Sequence, residues 1–259
     1  MMASAFYIYL YVMIGLAVVV FIALNFVEAG YGMLINPKWG KTISNRKAWF
    51  LMELPIFLSM IALWAFSPHR FQLMSVIFLI IFELHYFQRV FIFPFLLKGK
   101  GQMPITIMLM GISFNILNAA MQGYWLFYEA YNVNPNAYPD SWIYSPQFLI
   151  GLALFIAGFV INLKSDKTIR NLRKSDTDTK HYLPKGGMFN YVTSANYLGE
   201  LMEWLGFAIL TWSMSGFVFF LWTFANLVPR ARAIHKRYKV EFADEMKDKR
   251  LKRVFPFLY

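Results

Sequence analysis

Long apolar runs separated by short polar connections dominate the chain, and run length carries the first reading. A bilayer core about 30 Å thick takes roughly 20 predominantly apolar residues per helix. Seven runs approach that requirement: Phe6–Phe26, Ala48–Ala65, Leu73–Leu97, Ile105–Tyr128, Phe148–Leu163, Tyr197–Trp212 and Phe217–Leu227. The last two are short, with only Ser213–Gly216 between them. Periodicity adds little, because helices this uniformly apolar show no polar stripe. The pattern predicts an all-α polytopic membrane protein with seven transmembrane helices. The first run lacks a basic leader and exceeds the apolar length of a signal peptide, so it reads as a retained span.

Composition agrees: 58% of the 259 residues are hydrophobic and only 15% charged, too few polar groups to cover a soluble surface. The positions of Lys and Arg predict orientation, since they concentrate in cytoplasmic loops. Lys38, Lys41, Arg46 and Lys47 precede the second run, and Lys98 and Lys100 follow the third. Lys164 through Lys185 and the tail from Arg230 to Arg253, including Lys249, continue the basic series on that side. The alternate loops hold only Arg70, and Arg89 lies within the third run. The amino terminus is therefore expected outside and the carboxyl terminus in the cytoplasm.

Nothing divides the chain into soluble domains, so 1–259 reads as one integral-membrane domain. The polar stretch Lys164–Ala195 and the basic tail are expected to meet over the cytoplasmic surface. Loop Glu129–Ser145 reads as an irregular outer cap with no assigned chemistry. Without cysteine there is no disulfide or thiolate chemistry, and His69, His85, His181 and His235 are too scattered for a metal centre. Gly99-Lys100-Gly101 continues as Gln102-Met103-Pro104, which breaks the dinucleotide-binding glycine pattern, so any cofactor site would have to be helical.

Ionisable residues inside a membrane are costly and point to function or to internal pairing. Glu53, the group Glu83, His85, Tyr86 and Arg89, and the pair Glu200 and Glu203 all fall in predicted spans. For Glu83, His85, Arg89 and Glu203, mutual charge pairing is the stronger expectation. For Glu53 and Tyr86 the functional reading is stronger. Reducing a carbon–carbon bond conjugated to a ketone builds negative charge on the ketone oxygen, and a buried phenol–carboxyl pair can meet that charge. Asn162, Asp166, Arg170 and Arg173 recur four, four and three residues apart, on one helix face. That face suits an anionic cofactor, although basic residues touching lipid headgroups explain it equally well. The tail cluster Arg230, Arg232, His235 and Tyr238 is similarly open.

These residues sit in longer stretches that resemble the steroid 5α-reductase (3-oxo-5α-steroid 4-dehydrogenase) family. The stretches are Ala48–Pro55, His85–Arg89, Met121–Tyr124, Asn162–Arg173 and Pro184–Trp204, the last long and specific. The resemblance runs from about Ala48 to Tyr259. It implies NADPH entering from the cytoplasmic side and a steroid entering from lipid, with hydride delivered to carbon 5 of a 3-oxo-Δ4-steroid. It implies that Glu53 and Tyr86 hold the 3-oxo group, that Asn196 and Glu200 flank the nicotinamide, and that Trp49 packs against the cofactor. Asn162, Asp166, Arg173, Arg230, His235 and Tyr238 would line the rest, with Arg170 on the same face. Ala243-Asp244-Glu245-Met246 replaces the family's usual Tyr-Pro pair.

On this reading residues 1–100 form the steroid side and 101–259 the NADPH side. A monomer is expected, with steroid and membrane lipids as partners and no nucleic acid, in a bacterial inner membrane or the endoplasmic reticulum. Competing readings are an enoyl-thioester or polyprenol reductase, an isoprenylcysteine methyltransferase using S-adenosylmethionine, and a non-enzymatic lipid transporter.

Overall fold

The computed structural model describes residues 2–175, 178, 180–247 and 250–259; Lys249 lies outside them. The helices are α1 (Met2–Phe26), α2 (Asn45–Ala65), α3 (Leu73–Phe87), α4 (Phe93–Leu96), α5 (Ile105–Tyr124), α6 (Ala130–Val133), α7 (Pro146–Leu172), α8 (Ala195–Thr211), α9 (Met214–Glu241) and α10 (Ala243–Met246). Five stretches are long and apolar enough to cross a membrane: Ala5–Phe26, Asn45–Ala65, Leu73–Leu96, Ile105–Val133 and Pro146–Leu172. Large apolar side chains such as Ile22, Leu58, Ile80, Leu109 and Ile150 are exposed along them, as expected of a face turned to lipid.

The predicted boundaries shift where local chemistry intervenes. The third run is not one α-helix: a π-helical turn, Gln88–Ile92, joins α3 to α4. Pro94 has no N–H, and its ring crowds the carbonyl of Val90, so the ladder widens just before it. A second π turn, Trp125–Glu129, links α5 to α6. Helix α7 continues nine residues past the predicted Leu163, to Leu172. It starts with Pro146 after a Ser145 cap, whose hydroxyl accepts from Phe148 N at 3.2 Å. The two short final runs become α8 and α9, reversed at Trp212 (φ 46°) and restarted by Ser213, whose hydroxyl accepts from Gly216 N at 3.0 Å.

Helices α7 and α8 make the closest contact in the bundle. Gly151 and Gly158 on α7 oppose Gly206 and Gly199 on α8, seven residues apart in each helix. A Cβ at any of the four would stand 2.4 Å from backbone of the facing helix. Small residues let membrane helices approach this way without any hydrophobic drive between them. The pairing holds the carboxyl-terminal part of α7, with Asp166 and Arg170, against the amino-terminal part of α8, with Asn196 and Glu200.

On the basic side the connections are tied together. Thr42–Ser44 (β1) pairs antiparallel with Gln102–Pro104 (β2), in register Ile43 to Met103. The long polar loop and the tail do meet: Val192 bridges Lys252 in parallel, and Ser194 N donates to Arg253 O at 3.1 Å. Helix α9 stitches down the segment after α1. Arg232 donates to Asn25 Oδ1 at 3.1 Å and Arg230 to the carbonyls of Ala29 (3.0 Å) and Tyr31 (2.9 Å), while Arg237 donates to the carbonyl of Met33.

Candidate active site

One cavity of about 520 Å³ runs inward from these connections between the helices, within the range typical of ligand sites. Its inner part is lined by Glu53, His85, Tyr86, Trp204 and Phe219, and its end near the basic loops by Lys98, Arg170 and Arg173. A single space therefore joins a buried acid and phenol to a cluster of cations.

Glu53 sits on α2, two residues before the internal Pro55, with 8% of its surface exposed. Asn115 of α5 fixes it, donating at 3.0 Å to Glu53 Oε2 and at 2.7 Å to the carbonyl of Met52. Tyr86, 3% exposed, packs at 4.8 Å against Phe82 and at 5.8 Å against Trp204, measured between ring centroids. Tyr86 and Glu53 open onto the same cavity.

The π turn after α3 positions Arg89. Its guanidinium lies 4.4 Å from the ring of Trp49 and 4.4 Å from that of Phe93, with Asp166 Oδ2 at 3.5 Å. The expected mutual pairing occurs for His85, whose Nδ1 lies 2.7 Å from Glu203 Oε1, while Arg89 pairs outside that set, with Asp166. Glu83 has both carboxylate oxygens buried without a hydrogen-bond partner. Trp49 lines the cavity beside Arg89, as do Asn196, Glu200 and Tyr238.

Four of the sequence-predicted residues have different surroundings. Asn162, 2% exposed, stands behind the wall, its amide donating to the carbonyl of Asn196 at 3.0 Å. His235 faces the tail contact, with Nδ1 3.2 Å from Thr193 Oγ1. Burial, reinforced by Lys239 and Arg253, lowers its pKa to about 4. Arg230 does reach the cavity, but its guanidinium is engaged by Ala29, Tyr31 and the Tyr197 hydroxyl (2.6 Å) and lies 3.5 Å from the Tyr31 ring centre. Arg173 donates to Lys98 O at 2.8 Å, packed over Gly99. Among the described residues no group of three or more His, Asp or Glu could hold a metal ion.

Asn115, Trp204 and Lys98 complete the site, and the sequence reading does not single them out. For Asn115 a signal exists: Asn115, Asn118 and Gln122 are buried polar residues inside a long apolar run, costly unless hydrogen-bonded.

Fold and cavity together define a polytopic helical membrane protein with a deep, chemically polarised internal site. Residues 101–259 match the profile of the 3-oxo-5-alpha-steroid 4-dehydrogenase family. Steroid 5-alpha-reductase DET2 of Arabidopsis thaliana is 38% identical over 244 residues, covering 92% of this chain and 90% of the relative. Human 3-oxo-5-alpha-steroid 4-dehydrogenase 1 is 37% identical over 231 residues, covering 88% and 86%. The chain belongs to the 3-oxo-5-alpha-steroid 4-dehydrogenase family.

Proposed function

We propose that the protein reduces the Δ4 double bond of a 3-oxo-Δ4-steroid to the 5α-dihydrosteroid, using NADPH. The observation that carries this reading is the shared cavity, with Glu53 and Tyr86 in the same space as Arg170 and Arg173. The donor set suits a dinucleotide phosphate. Guanidiniums and Lys98 offer charge-assisted hydrogen bonds to phosphate oxygens, and Asn196 and Asp166 offer groups for amide and hydroxyl functions. NADPH, when bound, would supply the hydride for carbon 5, and a proton delivered to carbon 4 completes the reduction, leaving NADP⁺ and the saturated ketone.

The protein's own part is to bind and to stabilise charge. Asn115 occupies one oxygen of Glu53 and so fixes the carboxyl group. Glu53 and Tyr86 hold the 3-oxo group, and the Tyr86 hydroxyl donates to that oxygen as negative charge gathers there. The apolar walls exclude water, which strengthens this hydrogen bond. In this reading Trp49 packs against the cofactor, Asn196 and Glu200 flank the nicotinamide, and Asn162, Asp166, Arg230, His235 and Tyr238 support or line the remainder.

The full reading has seven membrane crossings, with α8 and α9 added to the five long spans, the amino terminus outside and the cofactor mouth in the cytoplasm. Residues 1–100 serve the steroid and 101–259 the NADPH, in a monomer whose substrate arrives through the lipid. Purified protein in lipid nanodiscs tests the activity. NADPH oxidation that requires a 3-oxo-Δ4-steroid and yields the 5α-dihydro product is the expected result. Steroid uptake into sealed vesicles without cofactor turnover contradicts the reading.

A further inference from the structure

His85 is a cavity-lining side chain for which the proposed reaction has no use. It is 4% exposed, and its ring packs edge-on against Tyr86 (5.0 Å) and Trp204 (4.7 Å). Nδ1 is taken by Glu203, which is fully buried and lies outside the cavity lining. Nε2 has no hydrogen-bond partner among the described residues. Buried polar atoms are normally satisfied, so a ring nitrogen left open beside a ligand cavity marks a place where a ligand atom completes the set.

Glu203 decides what that nitrogen can do. With Glu203 ionised, its carboxylate accepts the Nδ1 proton, which leaves Nε2 of the neutral imidazole with a lone pair and no hydrogen. His85 is then an acceptor and needs a donor from the ligand. The Glu203 backbone is itself held by the glycine contact with Gly158, which fixes the point from which its carboxylate reaches the ring.

The position of His85 selects the donor. The cations Lys98, Arg170 and Arg173 lie at the loop end of the cavity, while His85, in the last turn of α3 and midway along the Leu73–Leu96 span, lies beside Tyr86, with Glu200 lining the same cavity. A dinucleotide with its phosphates among the cations brings its nicotinamide to the His85 end. The carboxamide NH₂ is the hydrogen-bond donor of that ring. We infer that His85, oriented by Glu203, accepts a hydrogen bond from the nicotinamide carboxamide and so fixes the rotation of the ring before hydride leaves it. This rests on the NADPH reading above. His85 is a cofactor-binding residue in this scheme and Glu203 a positioning residue.

The test is calorimetric titration of the full chain in nanodiscs, without steroid. The two ligands are NADPH and its reduced 3-acetylpyridine analogue, in which a methyl replaces the NH₂ and the carbonyl is kept. The parent should bind NADPH more tightly by roughly three- to tenfold, the worth of one neutral hydrogen bond. His85→Phe should bring the ratio close to one with analogue affinity unchanged, and the retained analogue binding also reports an intact fold. His85→Gln, which keeps an acceptor near the Nε2 position, should preserve the preference, and Glu203→Leu should reduce it. A parent that does not distinguish the ligands, or a His85→Phe variant that still does, overturns the inference while leaving NADPH as cofactor. Should His85→Phe bind neither ligand, the Gln and Leu variants decide by the same ratio. A parent that binds neither ligand overturns the cofactor reading along with it.

Discussion

Arg89 and Asp166, on helices far apart in sequence, meet 3.5 Å from one another at a point where both are largely sealed from solvent. Within ion-pair distance neither has another partner among the described residues. Removing one partner strands the other, which typically costs about 3–5 kcal/mol, whereas replacing both with apolar groups of similar size is often neutral. Arg89→Met is therefore expected to lower the melting temperature in detergent sharply, and Arg89→Met with Asp166→Leu to recover most of the loss. Melting by tryptophan fluorescence checks it; a double variant as unstable as the single one contradicts the pairing.

Tyr86→Phe keeps the ring against Phe82 and Trp204 and deletes only the hydroxyl. Loss of one donor to a developing oxyanion costs on the order of 10²–10³ in turnover. Steady-state kinetics should show kcat falling by that factor while the dissociation constant for NADPH stays put. Unchanged turnover removes Tyr86 from the chemistry.

Arg173→Ala should act on the cofactor instead. A hydrogen bond to a charged group is worth about 1.5–3 kcal/mol, so NADPH affinity should drop by roughly ten- to a hundredfold, with a shallower salt dependence than the parent. Equal affinity in variant and parent assigns the guanidinium to lipid headgroups and to its bond with Lys98 O.

Much of this architecture is legible in the amino-acid sequence. The apolar runs mark the five long helices, while charge and spacing distinguish Glu53, Tyr86, Arg170 and Arg173, all four of which line one cavity. The remainder is decided by contacts between distant elements. That Arg89 takes Asp166 rather than Glu83 depends on a π turn, which periodicity cannot signal. The bonds of Arg230 to Ala29 and Tyr31 span about two hundred residues and have no local mark. The seven-residue spacing of Gly151 with Gly158 and of Gly199 with Gly206 is readable, yet its meaning depends on α7 and α8 being partners.

Those glycines supply a stability prediction with an internal control. Gly206→Ala puts a methyl 2.4 Å from the backbone of Phe155, so the helices must part, at a cost of about 1–3 kcal/mol. Gly15→Ala on α1 meets nothing within 4 Å and should leave the melting temperature unchanged or slightly raised. Equal effects of the two substitutions would remove the special status of the seam.

His235 links stability to acidity. Because its folded-state pKa lies near 4, below the ordinary value of 6.5, the fold favours the neutral ring. Stability from this group is complete above pH 6.5 and is lost as pH falls towards 4. The parent's melting temperature should decline through that window, and His235→Gln should flatten the decline; identical pH profiles contradict it.

The backbone-to-backbone seam between α7 and α8 also bears on how the proposed four-ring substrate would get in. Two helices locked at such close range share one fate, and the wall carrying Asp166, Asn196 and Glu200 behaves as a fixed jaw. On the proposed function, breathing that admits a bulky guest falls to α1, α2 and α5, whose outward faces carry exposed apolar side chains such as Ile22, Leu58 and Leu109, so the stiffness of the surrounding lipid is expected to control how fast the site can fill.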